Sequence, residues 1–322
     1  MSFVAAPRNS LLGTLCAVAG ATCFSLNDML VKFLSGGYAL HQIVLIRAGV
    51  GLTLVLVAIM VVGGGLASLR TRRPGMHALR LVFLLIANTS FFAAIAAMPL
   101  AEATALFFVA PLVIAVLSFA VLGERVGPWR WAAVLIGLAG VGVMLRPGVE
   151  AVQPAALLAL LAALGYASLG LVTRRMGGTE GAATMTFYTQ AGLVAVSVLV
   201  GLAVGDGRFG AVEDPSLAFL LRGWVWPAPG DLLVFLVTGA ASATGAFLIA
   251  QAYRVAEAGL VAPFEYVALP MAVVWGMVVF AEVPDGWGVL GMLLIGAGGL
   301  LLVWREARAA RRARAAVTGR GG

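Results

Sequence analysis

Four ionisable side chains stand in otherwise apolar stretches of this sequence: Asp28, Lys32, Arg47 and Glu265. Such a group costs several kcal/mol inside an apolar helix unless it is paired or wet, so each is a candidate for work on a solute or an ion. Asp28 and Lys32 are four residues apart and share one helix face. Lys32 is the only lysine among the chain's 21 Lys and Arg residues. It lies about 30 Å along its helix on a 1.5 Å rise, where its head can snorkel to an interface. Asp28 is deeper and reads as a paired group near the mouth of a cavity. Arg47, about 10 Å into the next apolar stretch, either pairs with Asp28 across helices or grips a substrate carboxylate or phosphate bidentately. Glu265, followed by Tyr266, has no basic neighbour in its own stretch. A carboxyl placed so suits proton coupling or recognition of a cation; the rival reading is a structural hydrogen bond to a neighbouring helix.

Uncharged polar groups extend the set. Asn88, Thr89 and Ser90 fall in the middle of one apolar stretch, Ser242 and Thr244 in another, and Tyr188 and Gln190 in a third. Some should line a cavity, while others join helix to helix, the commoner fate of Ser and Thr. Trp275 and Phe107 or Phe108 offer faces for a planar solute or for packing. Pro111 and Pro270 each remove a backbone hydrogen bond inside an apolar stretch and kink it, which suits a hinge. Glu124 and Glu282 fall at the far ends of those same stretches and read as end-capping or interfacial groups.

Several chemistries are excluded. His41 and His77 are too few and too scattered for a zinc site, which needs three or four converging ligands. Cys16 and Cys23 are seven residues apart on one helix, too far for a disulfide. Gly137, Gly140 and Gly142 resemble a nucleotide fingerprint only superficially, because no strand precedes them; close helix packing is the better reading. No catalytic pair or triad can be assembled, so an enzyme is not expected. No phosphate-binding loop is present, so any transport must be driven by gradients. No metal or other cofactor is expected. Nucleic acid is not an expected partner, since the basic residues sit in short connections and a tail.

The elements that hold these groups must be membrane helices. The chain has 322 residues, 62% hydrophobic and 11% charged, with mean hydropathy +1.04. A soluble domain carries about 25% charged residues, so lipid must be the solvent for most of this surface. About 20 apolar residues span a bilayer, and ten stretches qualify: 11–34, 40–63, 78–98, 101–122, 128–146, 153–173, 182–205, 231–253, 257–280 and 286–304. Residues 206–230 read as the one long loop. With the N-terminus inside, the inner segments hold Arg8, Arg70, Arg72, Arg73, Arg80, Arg125, Arg130, Arg174, Arg175, Arg254 and the six tail arginines from Arg305 to Arg320. The outer segments hold only Arg146, Arg208 and Arg222. This positive-inside bias predicts both termini in the cytoplasm. The tail would bind anionic lipid headgroups and is expected to be disordered beyond about residue 312.

The chain also reads as a doubled unit. Leu135-Ile136-Gly137-Leu138-Ala139-Gly140 leads to Arg146 as Leu294-Ile295-Gly296-Ala297-Gly298-Gly299 leads to Arg305. Glu124 with Trp129 matches Glu282 with Trp287, Pro111 matches Pro270, Lys32 matches Arg174, and Arg47-Ala48-Gly49 matches Gln190-Ala191-Gly192. Five spans per half is an odd number, so the second half should be inverted relative to the first, a recurrent carrier design. The expected fold is an all-α integral membrane protein of ten transmembrane helices in two inverted five-helix repeats. Its units are 1–150, 151–305 and a basic cytoplasmic tail, 306–322.

The segments Ala262-Pro263-Phe264-Glu265-Tyr266 and Phe280-Ala281-Glu282-Val283-Pro284 resemble the EamA family of the drug/metabolite transporter superfamily. So do Ala110-Pro111-Leu112, Leu122-Gly123-Glu124-Arg125, Asp28 to Lys32, and Arg47. One departure is Ala281-Glu282, where Gly-Glu is usual. The resemblance covers nearly the whole chain and implies a carrier with a central cavity in a bacterial inner membrane. The expected solute is a small organic metabolite such as an amino acid; the alternative is a vitamin or nucleoside-like solute, of the riboflavin or S-adenosylmethionine type. Membrane lipid is an expected partner, and a homodimer is allowed. Asp28, Arg47, Asn88, Tyr188, Gln190, Ser242, Glu265, Tyr266 and Trp275 are the pathway candidates.

Overall fold

The computed structural model describes residues 10–62, 69–122, 127–146, 153–176, 180–256 and 258–318. Thirteen helices lie among them: α1 (Ser10–Ser35), α2 (Leu40–Val62), α3 (Pro74–Ala97), α4 (Leu100–Phe107), α5 (Ala110–Leu122), α6 (Pro128–Leu145), α7 (Pro154–Met176), α8 (Ala182–Val204), α9 (Pro215–Leu221), α10 (Pro229–Val255), α11 (Ala258–Glu265), α12 (Ala268–Phe280) and α13 (Gly286–Thr318). No strand occurs among the described residues. They form ten membrane-length spans. Spans four and nine are each made of two helices, α4 with α5 and α11 with α12. The chain is therefore a multi-pass membrane protein, with span limits within a few residues of those read from hydropathy.

Five helices, α3, α6, α7, α9 and α10, begin with Pro in the first turn, where its missing N–H is not needed. Two expectations need correction. The segment between α8 and α10 is not all loop. Asp214 accepts the Leu217 N–H and caps α9, Ser216 donates to the Ala93 carbonyl at 2.8 Å, and Phe219 is 1% exposed. Nor does the tail lose its order near 312. Helix α13 continues to Thr318, because its run of Ala and Arg consists of strong helix formers.

The main helix pairs are α1 with α10, α3 with α7, α2 with α8, and α6 with α13. Small residues set the separation where helices cross closely. A methyl group on Gly140 would lie 2.8 Å from the Gly291 carbonyl, and one on Gly291 2.9 Å from the Gly140 carbonyl. One on Gly298 would lie 2.7 Å from the Ala133 carbonyl. Backbones thus touch along α6 and α13, as small-residue stripes permit in lipid. The expectation of close packing holds for Gly137 and Gly140 but not for Gly142, where an added Cβ would meet nothing within 4 Å.

Candidate functional site

Three polar clusters are built by this frame. The first joins α1, α2 and α3. Arg47 donates to Asn88 Oδ1 at 2.7 Å and more weakly to Asn27 Oδ1 at 3.4 Å. Its guanidinium lies 4.9 Å from the Phe92 ring centroid, and the residue is buried. Asn27 in turn donates to Asp28 Oδ1 at 2.9 Å. Asp28 and Arg47 therefore communicate through Asn27 and form no direct ion pair. Asn27 was not among the residues singled out from sequence; its adjacency to Asp28 was the available signal.

The second cluster surrounds Glu265. Tyr253, from α10, donates to Glu265 Oε1 at 2.5 Å. Tyr166, from α7, and Tyr266 lie within electrostatic range of the same carboxylate. The rings continue outward: Phe107 packs on Tyr166 at 5.3 Å, Phe91 on Phe107 at 4.9 Å, and Phe108 on Tyr266 at 4.8 Å. Phe108 and Tyr266 occupy the breaks between α4 and α5 and between α11 and α12. Each break precedes a proline. Pro111 has no N–H to give the Phe107 carbonyl, and Pro270 none for the Tyr266 carbonyl, which takes an i+3 bond from Leu269 instead. The two breaks thus meet through their aromatic rings, beside the carboxylate. Discontinuous helices of this kind form solute and ion sites in carriers. Tyr166 and Tyr253 were missed from sequence, because a tyrosine in an apolar stretch gives no sign of the helix it will face.

The third cluster lies at the end of the molecule that holds few arginines. Lys32 Nζ is 2.5 Å from Glu282 Oε1 and donates to the Met98 carbonyl at 2.7 Å. Glu282 Oε2 accepts the Leu100 N–H at 2.9 Å. Arg146 pairs with Asp285. The Gly288 N–H, and then Arg146, hold the Asp285 carboxyl below its usual range. Lys32 does not snorkel free: Glu282 is its partner. Glu282 caps a helix as expected, but the helix is α4 and not its own. At the opposite end Glu180 accepts from Thr71 at 2.8 Å and faces His77 at 3.5 Å. The Thr71 hydroxyl, and then His77, keep the Glu180 carboxyl low.

The remaining candidates are dispersed. Tyr188 lies against the His77 ring at 4.5 Å. The Gln190 side chain covers Gly51 across the α2–α8 contact. Ser242 is half-buried on α10. Trp275 packs at the edge of the main core, its indole N–H without a partner among the described residues. Tyr266 likewise leaves its hydroxyl unpartnered, against Gly299 of α13. Glu124 lies outside the described residues. Among the described residues no three His, Cys, Asp or Glu side chains converge on a metal-sized site.

Comparison with known proteins names the context of these clusters. The pattern of the EamA-like transporter family matches residues 11–146. A riboflavin transporter of Rhizobium johnstonii is 29% identical over 311 residues, 97% of each chain. An S-adenosylmethionine uptake transporter of Rickettsia prowazekii is 26% identical and covers 88% of this chain and 89% of its own. A solved crystal structure at 19% identity superposes with a TM-score of 0.61 over 91% of this chain and 95% of its own, which shows the shared fold. These relatives are transporters, not enzymes, and a small-solute transporter is the function they support. Residues 11–146 thus match the EamA-like transporter family, and nearly the whole chain is similar to small-solute transporters.

Proposed function

We propose that this protein is an alternating-access secondary carrier for a flat, ring-bearing organic solute of the vitamin or nucleoside-like class. The observation that carries this reading is the Glu265 carboxylate set among Tyr166, Tyr253 and Tyr266 beside two facing helix breaks. Aromatic faces hold planar rings by offset stacking and attract cations. The carboxylate would orient a cationic or hydrogen-donating group. A plain amino acid has no ring to engage so many faces, which favours the ring-bearing class. The riboflavin and S-adenosylmethionine carriers among the relatives support the same choice.

The carrier reading brings the rest of the architecture with it. Residues 1–150 and 151–305 act as inverted halves, with 306–322 as a basic tail. Helix pairing supports this: exchanging the halves turns the α1–α10 pair into α7–α3, and leaves α2–α8 and α6–α13 as themselves. Pro111 and Pro270 serve as hinges. Both termini face the cytoplasm of a bacterial inner membrane, as the arginine distribution requires.

The test is a thermal-shift screen of purified protein against riboflavin, S-adenosylmethionine and amino acids. A ring-bearing solute should raise the melting temperature, and Glu265→Gln should remove the shift while the protein still inserts and melts cooperatively. A shift with amino acids alone would overturn the solute class. An undiminished shift in Glu265→Gln would overturn the site.

A further inference from the structure

The cluster at the arginine-poor end is not used by the proposed solute site, and its geometry is that of a clasp. Met98 ends α3 and Leu100 begins α4, with Pro99 between them. Lys32 takes the Met98 carbonyl at 2.7 Å, and Glu282 takes the Leu100 N–H at 2.9 Å. One orphan acceptor and one orphan donor of the helix ends are satisfied by the two members of a single ion pair. The charges reach the corner from α1 and from the residue just past the α12 C-cap. Lys32 also lies over the Phe280 ring, 5.1 Å from its centroid. The pair is sheltered but not sealed, with side chains 10% and 24% exposed, so concentrated salt can still reach and weaken it.

What the clasp holds is short and jointed. Helix α4 is eight residues long. The ion pair grips its first residue, and the Phe108–Val109 break follows its last. Beside the corner lies a cavity of about 250 Å³, lined among others by Met98, Pro99, Glu102, Arg146 and Asp285. The aromatic rings of the Glu265 cluster begin at Phe107, the far end of the same helix.

We infer that the Lys32–Glu282 pair is a latch on α4. While it grips the Met98–Leu100 corner, the Glu265 cluster is shut off from the arginine-poor end. Its release lets α4 swing about Phe108–Val109 and opens a path through the cavity. The inference rests on the carrier reading, because alternating access needs an end that opens and shuts.

The test places a reporter on the buried face of α4. Thr104 is 4% exposed, and Thr104→Cys nearly preserves its shape. In a background with Cys16→Ala and Cys23→Ala, purified protein in nanodiscs is treated with a hydrophilic maleimide. Thr104→Cys should label slowly with the latch intact. It should label about tenfold faster after Lys32→Met or Glu282→Gln, a modest population shift. Glu282→Gln keeps an oxygen for the Leu100 N–H, so it breaks the ion pair and spares the cap. Lys32→Arg should restore slow labelling. Unchanged labelling in variants that elute and melt as folded protein would overturn the latch. A second measurement needs no latch mutation. Spin labels at Gln153 and Val283, both on the cavity wall, should report a longer distance whose fraction grows from about 0.1 M to about 1 M KCl. A single, salt-independent distance would also overturn it. If the wild type moves no solute, the carrier reading fails, whatever the labelling shows. If it transports normally with an immobile corner, only the latch fails.

Discussion

Single residues carry more of this protein's behaviour than its apolar bulk suggests. Ala281 caps α12 with φ 55°, in the left-handed region. A Cβ there costs about 1–2 kcal/mol, which glycine escapes in exchange for some chain entropy. The place where the family resemblance leads one to expect glycine is thus the place where the backbone turns to deliver Glu282. Ala281→Gly should stabilise the protein by about 1 kcal/mol, read as a higher melting temperature in detergent; a lower one would show that the turn does not want glycine. Asp285 gives a pH-dependent counterpart. Its folded-state pKa lies below the ordinary value of 3.8, so its contribution is present above that value and is lost as pH falls through the folded pKa. Asp285→Asn should therefore melt earlier than wild type at pH 7, and the gap should close on acidification below 3.8. A gap that is constant with pH would mean the charge is not what matters.

At the scale of elements, two devices divide the labour. Proline breaks interrupt spans four and nine where their aromatic rings meet, while glycines let α6 and α13 pack backbone to backbone. The second device has a sharp consequence. Gly140→Leu would drive a side chain into the Gly291 carbonyl and the Ile295 backbone N–H, both under 3.0 Å from a Cβ at that position. Overpacking of this kind costs about 1–3 kcal/mol, and here the obstacle is backbone, which cannot rotate away. The variant should melt well below wild type, whereas Gly142→Leu, with nothing within 4 Å, should not. Equal melting of the two would remove the close-approach argument.

For the whole molecule, the connections fall into two sets, one arginine-rich and one arginine-poor. Contacts among distant residues keep the sets at opposite ends. Tyr38 with Asp231, Gln42 with Val225, and Lys32 with Glu282 join the poor end; Thr71 with Glu180 and Arg80 with Thr173 join the rich one. Gly37 and Gly75 are exposed at the two ends, with nothing within 4 Å of an added Cβ. In the background lacking native cysteines, Gly37→Cys should react with an impermeant maleimide on intact cells. Gly75→Cys should react only after permeabilisation. The reverse pattern would invert the assigned orientation.

Sequence alone settled ten spans, the resemblance to a transporter family, the proline positions and the polar residues worth watching. These follow from hydropathy, spacing and side-chain chemistry, all of which are local. It also marked Arg47, Asp28 and Glu265, because an ionisable group in an apolar run is conspicuous wherever the run ends up. Partnership was a different matter. That Arg47 would take Asn88, that Tyr166 and Tyr253 would flank Glu265, and that Lys32 would find Glu282 near the far end of the chain were decided only in the folded bundle. The physical reason is that lipid tails are as apolar as the helix faces they touch, so hydropathy cannot say how a span is rotated or what it crosses. Those angles are set by shape, by glycines that let backbones touch and by polar groups that must find one another. Among the last, the single lysine first read as one that could snorkel became the pin of a helix corner.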